Sequence, residues 1–342
     1  MKRRATLKDV ADLAGVSLST VSRALRMPEL FTQETVDRVC SAAAKLSYVP
    51  NAAASTLSRR RSNTIGIIMP SPEYSAFAGN LLAIQRVCSE RNYSFKLEFT
   101  DFSPEKELMA LKHFEEHRVE GAILVGIDAE HIPLLKQLDH NGIRNILLWE
   151  KSENISNYIA IDNERATLQG LEYLYNLGHR RIAYMLGPYS CTLRNREKQN
   201  AYVKFIREHD LELDADLITS QPPTFFMGKE AMRRFLKLGN PPTAAFCVND
   251  NLAIGAVRAV REAGLRVPED ISICGFDDIS ISAYLDIPLT SIRTPILEMG
   301  EIAASLLIEA IENDSDLNVQ YLLDTQLVVR GTCARAPREE QA

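Results

Sequence analysis

The stretch "GVSLSTVSRAL", residues 15–25, decides how the first part of the chain folds. Gly15 suits the left-handed residue that ends one helix, and Ser17 suits the N-cap of the next. Apolar residues recur on one face of this second helix, at Val21, Ala24 and Leu25. The opposite face carries side chains that a small core does not require: Leu18, Ser19, Ser22, Arg23 and Arg26. We therefore predict two helices joined by a tight turn, with a second face that is free to bind a partner.

Helices are also predicted on both sides of this stretch. "TLKD", residues 6–9, fits a capping box in which Thr6 and Asp9 satisfy each other's backbone N–H groups. Phe31 and Thr32 resemble the start of a third helix. The residues expected on its inner face are Val36, Val39, Cys40 and Ala43. Three amphipathic helices within fifty residues, the first two joined by a turn that contains glycine, predict a helix-turn-helix.

The outer face of the second helix is suited to reading duplex DNA. Leu18, Ser19 and Thr20 are placed to reach base edges in the major groove, and Ser22 and Arg23 to bond phosphates or a guanine. The alternative is an ordinary solvated helix face. Charge favours DNA: residues 1–61 carry 11 lysines and arginines against 5 acidic residues, whereas the remainder carries 28 against 40. A basic head on an acidic body is expected when only the head meets a polyanion.

A short basic segment follows the third helix, "YVPNAAASTLSRRR" at residues 48–61. Pro50 ends the preceding helix, and Asn51 can cap a short helix that runs to Thr56 or Leu57. So short a helix is marginally stable by itself in water. One interpretation is an ordinary linker. The other is a hinge helix that folds only on DNA, pairs with its twin in the minor groove and wedges Leu57 between base pairs.

Composition and the absence of certain motifs restrict the classes of function that this protein can have. The 342 residues, 46% of them hydrophobic, are enough for two or three domains. The six cysteines are far apart and the histidines lack metal spacing, so we expect reduced thiols and neither a metal nor another cofactor. No apolar h-region follows the basic start and no run approaches the ~20 residues of a membrane span. We expect a cytoplasmic protein without a membrane partner. Because no P-loop, G-x-S-x-G, H-E-x-x-H or G-x-G-x-x-G pattern occurs, we expect no enzyme.

From residue 64 onward, short apolar runs alternate with amphipathic stretches. The predicted strands are "TIGIIMP", "YSFKLEF", "EGAILVG", "NILLWE", "RIAYMLG", "TAAFCVN" and "ISICGFD". Repeated βα units place a parallel sheet between helices, and ligands bind beyond the carboxyl ends of such strands. Two sets of strands indicate two similar lobes.

Five long motifs resemble one family along essentially the entire chain. They are "TLKDVADLAGVSLSTVSRAL", "YVPNAAASTL", "IDNERATLQGLEYLYNLGHRRIAYMLGP", "PPTAAFCVNDNLAIGAVRAV" and "VPEDISICGFDDISISAYLDIPLTSI". Together they resemble the lactose-repressor/galactose-repressor (LacI/GalR) family of bacterial transcription regulators. The resemblance implies an N-terminal all-α helix-turn-helix head and an α/β two-lobed effector domain like that of periplasmic binding proteins.

The resemblance also implies domain bounds. We expect the DNA-binding head at 1–50, the hinge at 51–61, the effector and dimerisation domain at 62–333, and a tail at 334–342. The chain of this family crosses between lobes three times, here near 161–163, 291–294 and 323–326. Lobe 1 then comprises about 62–161 and 293–324, and lobe 2 about 162–291 and 325–333.

Effector residues are implied one position at a time. Asp250 in "NDNLAIGA" matches the aspartate that binds effector hydroxyls, with helix capping as the alternative. Lys198 stands where the family has an arginine, and Arg196 is the other candidate for that role because lysine lacks the planar fork of arginine. The remaining candidates each have a structural alternative in the core or in capping: Trp149, Tyr74, Phe77 and Asp277.

The implied function is transcription control. We expect Thr6, Asn51 and Ala54 among the DNA contacts, and a homodimer on a double-stranded, pseudo-palindromic operator. The default effector is a sugar or related polyhydroxy compound, and a nucleobase or nucleoside is the alternative. Effector-induced release from the operator is commoner in the family than corepression. A periplasmic sugar-binding protein would share the two lobes, but it would need a signal peptide and lack the head.

Overall fold

A computed structural model describes residues 5–25, 27–48, 61–101, 103–127, 129–151, 153–187 and 192–337. The chain divides into two compact units, Met1–Ser62 and Asn63–Ala342. The predicted hinge contacts Asn51, Ala54 and Leu57 lie outside the described residues, as does Arg26.

Three helices make up the described part of the first unit: α1 Leu7–Ala14, α2 Leu18–Ala24 and α3 Gln33–Lys45. The capping box forms as predicted, since Thr6 N donates to Asp9 Oδ2 at 2.7 Å and Asp9 N donates to Thr6 Oγ1 at 3.3 Å. Gly15 ends α1 with φ +65°, a conformation that glycine adopts without steric penalty. The helix-turn-helix prediction is confirmed.

The small core of this unit comes from all three helices. Val10 on α1, Val21 on α2 and Val39 on α3 are completely buried. The prediction that Cys40 faces inward was wrong, because Cys40 is exposed and Ala42 is buried instead. Residues three and four positions after Val39 share its face, whereas the next residue lies about 100° around the helix.

Two six-stranded sheets form the second unit, and all seven predicted strands are present. The first sheet has the order β11-β5-β4-β3-β1-β2 and the second the order β12-β10-β9-β8-β6-β7. The strands of the first sheet are β1 Thr64–Met69, β2 Ser94–Phe99, β3 Gly121–Val125, β4 Arg144–Leu148, β5 Tyr158–Ile161 and β11 Gln320–Leu323. Those of the second are β6 Ile182–Leu186, β7 Ile218–Ser220, β8 Ala244–Cys247, β9 Ser272–Asp277, β10 Thr290–Arg293 and β12 Gln326–Val328. All pairs are parallel except β12, which runs antiparallel to β10.

The helices of the second unit cover the sheets and bury their apolar strands. Their bounds are α4 Ser75–Glu90, α5 Pro104–Glu116, α6 Ile132–His140, α7 Asn163–Asn176, α8 Leu193–Glu208, α9 Phe225–Phe235, α10 Asp250–Glu262 and α11 Ile296–Glu312. Short 3₁₀ turns lie at Pro28–Leu30 in the first unit and at Ala129–His131, Ala215–Leu217 and Ser280–Ala283 in the second. Helices on both faces explain why β3 and β6 are buried along their full length.

The chain passes between the two sheets three times. It leaves the first sheet after β5, returns to that lobe after β10, where α11 packs on α4, and crosses again between β11 and β12. Residues 334–336, which were assigned to the tail from the sequence, bond to the second lobe. Ala334 N donates to Ser272 Oγ at 3.0 Å, and Ala336 N donates to Leu177 O at 2.9 Å.

Within the described ranges, no helix is both long and apolar enough to cross a lipid bilayer. The same ranges hold no group of three histidine, cysteine or acidic side chains arranged to bind a metal ion. His179 has a structural position: it is buried, its Nδ1 lies 2.9 Å from Thr243 Oγ1, and its Nε2 lies 3.1 Å from Ala334 O.

Candidate functional site

The first candidate surface is the outer face of α2. Leu18, Ser19 and Arg23 are exposed, and the side chain of Leu18 is 47% accessible although it is apolar. Thr20 and Ser22 are half-buried. An exposed leucine beside hydroxyl and guanidinium groups at the start of the second helix is the arrangement with which such helices contact bases and phosphates.

Local hydrogen bonds hold the start of α2. Ser17 caps the helix by accepting from Thr20 N at 3.1 Å, and its Oγ lies 2.8 Å from both Ser19 Oγ and Thr20 Oγ1. The hydroxyl of Thr6 donates to Asp9 Oδ2 at 2.7 Å. Thr6 therefore has a capping role in α1, whatever it contributes to DNA binding.

The second candidate site is a cavity between the two lobes, at the carboxyl ends of the strands. It encloses about 620 Å³, a volume that includes the open solvent at its mouth. Its lining comes from both lobes: Tyr74, Ser75, Ala76, Phe77 and Trp149 from lobe 1, and Gly187, Arg194, Asn195, Lys198, Pro223, Val248, Asn249, Asp250, Asn251, Asp277 and Ile279 from lobe 2. Six of the seven predicted effector residues are thus brought together.

Aromatic side chains form the lobe 1 wall. Phe77 lies edge-on to both Tyr74 and Trp149, with ring centroids 5.7 and 6.0 Å apart. Trp149 Nε1 donates to Asn80 Oδ1 at 2.7 Å, which fixes the indole in the wall. Trp149 is only 3% exposed and also lines the cavity. It is therefore a core residue and a cavity residue at the same time.

Asp250 is buried, and its carboxylate accepts three hydrogen bonds within lobe 2. Its Oδ2 accepts from Ile279 N at 2.8 Å and from Ser282 Oγ at 2.6 Å, and its Oδ1 accepts from Ser291 Oγ at 2.6 Å. Burial raises the pKa of Asp250 to about 6, against the effect of these three donors. The residue that caps α10 is Asn249, so the alternative of capping by Asp250 is wrong. Asp250 therefore ties the start of α10 to the turn after β9 and to strand β10, in the lobe 2 wall of the cavity.

Lys198 and Asp277 are buried side chains of opposite charge in the wall of lobe 2. Lys198 Nζ lies 3.4 Å from the centroid of the Phe276 ring and 3.5 Å from Val248 O. Burial lowers the pKa of Lys198 and raises that of Asp277, although each charge favours the ionised form of the other. The neighbouring Asp278 instead pairs with Arg293 and Arg330, each at 2.7 Å, and so stabilises the lobe.

Arg196 was expected in the cavity, and this prediction was wrong. Arg196 is exposed, whereas Arg194, which the sequence reasoning missed, is 7% exposed and lines the cavity. Helix periodicity explains the exchange: residue 194 is one turn before Lys198 and shares its face, whereas residue 196 lies about 160° away. Projecting α8 from Lys198 would have found Arg194.

Direct hydrogen bonds link the lobes around the cavity. Asn251 Nδ2 on lobe 2 donates to Glu73 O at 3.2 Å, and Ser75 Oγ on lobe 1 donates to Asn251 Oδ1 at 3.3 Å. Glu150 follows β4 in lobe 1 and accepts from Leu193 N, the first residue of α8, at 3.0 Å. Burial raises the pKa of Glu150 to about 7. These links hold the two lobes close together, so the geometry is that of a clamp able to enclose a small molecule.

Comparison with known proteins gives the same two parts. Residues 6–51 match the profile of bacterial regulatory proteins of the lacI family, and residues 171–333 match that of the periplasmic binding protein-like domain. The HTH-type transcriptional repressor CytR of Escherichia coli K12 is 31% identical over 338 residues, which are 97% of each chain. The chain belongs to the LacI family. The regulator CelR of Thermobifida fusca is 32% identical over 338 residues, 96% of this chain and 98% of that protein.

Solved structures of LacI-family regulators share the fold. The lac repressor dimer bound to operator and the anti-inducer ONPF superposes with a TM-score of 0.85 at 28% identity, covering 97% of this chain and all of that one. A LacI-family regulator of Lactobacillus casei with bound sucrose has a TM-score of 0.72 at 26% identity, covering 79% of this chain and 99% of that one. The protein is therefore a DNA-binding transcription regulator with an effector domain.

Proposed function

We propose that this LacI-family protein is a cytoplasmic repressor that acts at the nucleoid. It binds a pseudo-palindromic operator as a homodimer, controls genes for carbohydrate use and is released by a small polyhydroxy effector. It has no catalytic role. The observation that carries the proposal is that the same chain has an exposed face on α2 suited to DNA and a cavity lined by both lobes of the second unit.

The DNA part of the proposal depends on side chains of α2. Leu18, Ser19 and Arg23 are exposed, and Thr20 and Ser22 complete the surface that would enter the major groove. Asn51, Ala54 and Leu57 stay predicted contacts of the hinge. Contacts to phosphates by the basic residues predict an affinity for DNA that falls steeply with salt concentration.

The effector part depends on the residues that line the cavity. Tyr74, Phe77 and Trp149 offer faces on which a sugar ring can stack, and Lys198 and Asp277 offer a donor and an acceptor for hydroxyl groups. Because both lobes line the cavity, a ligand there favours one angle between the lobes over others. Allosteric coupling of this kind is typically about 1–3 kcal/mol, or roughly 5–150-fold in DNA affinity.

An exposed apolar surface on lobe 1 supports the homodimer. The packed helices α4 and α11 expose Leu82 and Leu297, which are 65% and 53% accessible. Exposed leucines on neighbouring helices are typical of a surface that another protein covers.

Selection of DNA from a random duplex pool tests the function. We expect the purified protein to enrich a sequence with two inverted half-sites, and a sugar found by a thermal-shift screen to weaken that complex. Candidate sugars should be recovered unchanged after incubation. A protein that enriches no sequence, with or without every metabolite tried, would contradict the proposal.

A further inference from the structure

Arg194 is the one buried cavity residue for which the described structure shows an unsatisfied donor. Its side chain lies between the lobes, with Cζ 5.0 Å from the centroid of the Phe77 ring and 6.0 Å from that of Trp149. Its Nη1 atom is buried and has no hydrogen-bond partner among the described residues. A guanidinium stays charged in proteins, and a buried charge without a partner is strongly unfavourable. Contacts with aromatic faces offset only part of that cost.

Two carboxylates, Glu150 and Asp277, attract Arg194 electrostatically, but neither supplies a hydrogen-bond acceptor for its Nη1. Glu150 uses its Oε2 to accept from Leu193 N, while its Oε1 is buried without a partner. Asp277 is shared with Lys198. Burial raises the pKa of both carboxyl groups, which favours their neutral forms inside the cavity. The permanent positive charge of Arg194 is therefore only partly balanced inside the cavity.

The cavity as a whole is suited to a single negative charge. Lys198 and Asp277 have opposite charges, and burial favours the neutral form of Glu150, so the guanidinium of Arg194 is the group without a full counter-charge. Asp250 is occupied by its three donors. A carboxylate matches the planar fork of arginine and can accept two parallel hydrogen bonds from it. A dianionic phosphate would bring two negative charges to the single positive charge of Arg194, and its second charge would be repelled by Asp277 and Glu150.

We propose that the effector is a sugar acid, whose carboxylate pairs with Arg194 while its hydroxyl-bearing body lies against the aromatic wall. This inference rests on the proposed function, since it names the ligand class of the same cavity. Arg194 takes the role of ligand anchor, and Lys198, one turn further along α8, takes that of a neighbouring hydroxyl contact.

Tryptophan fluorescence provides a direct assay, because Trp149 is the only tryptophan of the chain and lines the cavity. The full-length protein is titrated with matched pairs that differ in charge: D-glucose with D-glucuronate, and D-galactose with D-galacturonate. D-gluconate and D-glucose 6-phosphate extend the panel. We expect at least one of the carboxylates to change the emission and to bind about 10- to 100-fold more tightly than its neutral partner, as a charge-assisted hydrogen bond predicts.

Substitutions at two arginines of the same helix separate anchoring of the ligand from a general effect of charge. Arg194→Met should lose about 10- to 100-fold in affinity for the acid and retain its weak affinity for the neutral sugar. Arg196→Met removes the same charge from an exposed position two residues away and should bind the acid like the wild type. Arg194→Lys keeps the charge without the fork and should fall between the two.

Several results would overturn the inference. They are tighter binding of a neutral sugar, binding of the phosphorylated sugar alone, full acid affinity in Arg194→Met, or no acid in the panel that binds. A parallel gel-shift assay on the selected DNA keeps the two proposals apart. A neutral sugar that releases DNA leaves the repressor function intact and rejects the sugar acid, whereas DNA binding that no compound alters rejects the effector response itself.

Discussion

Replacing Asp250 with alanine should lower the denaturant concentration at which the effector unit unfolds, because this buried carboxylate ties the start of α10 to the turn after β9 and to strand β10. It accepts hydrogen bonds from Ile279 N, Ser282 Oγ and Ser291 Oγ at 2.6–2.8 Å. A resemblance to effector-binding aspartates leads to a different expectation, namely weaker effector binding with little change in stability. The two roles therefore predict different stabilities for the ligand-free Asp250→Ala protein: a structural role predicts a large loss of stability, and a purely effector-binding role predicts little change.

The magnitude follows from the donors that the substitution leaves behind. The side chains of Ser282 and Ser291 are completely buried, and with Ile279 N they surround the carboxylate. A buried donor that loses its acceptor costs about 1–3 kcal/mol. The ionised carboxylate is itself unfavourable there, since burial raises its pKa to about 6 even with these three donors present. Asp250→Ala removes that unfavourable charge but leaves the donors unsatisfied, so we expect the free energy of unfolding to fall by about 3 kcal/mol.

Urea unfolding followed by the emission of Trp149 measures this change, since the only tryptophan lies in the second unit. The matched control is Asp286→Ala, which removes an aspartate that is 80% exposed and pairs with Arg261. Surface pairs of this kind contribute little. An Asp250→Ala midpoint equal to that of the control would refute the structural role.

A second substitution checks the geometry independently. A β-carbon on Gly275 would lie 2.2 Å from Asp250 Oδ1. Gly275→Ala should therefore destabilise the wild type more than it destabilises Asp250→Ala, a non-additivity typical of residues in contact. Equal effects in both backgrounds would contradict the packing of the carboxylate against this strand.

Three further predictions concern the lobe contact and DNA binding. Glu150→Gln keeps an acceptor for Leu193 N; because the folded pKa of Glu150 is raised from 4.5 to about 7, ionisation of the wild-type group lowers stability as pH rises from about 4.5 through 7. Urea unfolding at pH 5 and pH 8 should therefore show a decrease in the free energy of unfolding that is smaller in Glu150→Gln than in the wild type, by up to about 3 kcal/mol. Identical pH profiles of the two proteins would contradict this role of Glu150. Arg23→Ala should weaken binding to the selected DNA in a gel shift by about tenfold or more, with an unchanged effector titration; unchanged DNA affinity would exclude Arg23 from the interface. Leu57→Gly should abolish specific DNA binding while effector affinity stays nearly intact, and normal DNA affinity would reject the hinge wedge.

Local sequence determined the first unit because its signals act over a few residues. Thr6 with Asp9, Ser17 with Thr20, and Gly15 after α1 each satisfy backbone groups within three or four positions, so the helix bounds could be predicted directly. The long apolar strands were predicted for a similar reason, since a strand buried on both faces needs a continuous apolar run. Cys40 was predicted on the wrong face because both Cys40 and Ala42 are apolar enough to be buried next to Val39. Only the packing of α3 against the other helices decides which of the two faces the core.

The shorter strands β5, β7, β10, β11 and β12 were missed. Strand β7 has three residues, "ITS", and β10 reads "TSIR", so neither carries a hydrophobic pattern that separates it from a loop. Each is a strand because a neighbouring strand already supplies hydrogen-bond partners, as β9 does for β10. Such pairings join distant parts of the chain, and no local pattern encodes them.

The amino-acid sequence by itself determined that this protein has a DNA-reading head and a two-lobed α/β domain, because caps, periodicity and apolar runs are properties of neighbouring residues. Only the tertiary structure decided the chemistry of the cavity. In the folded protein, Asp250 accepts hydrogen bonds from donors that are 29 to 41 positions away in the sequence. Arg196 is exposed to solvent, whereas Arg194 lies against the aromatic rings of the opposite lobe. Burial and the meeting of two lobes set the charge of a site, and neither can be read from residues that are adjacent in sequence.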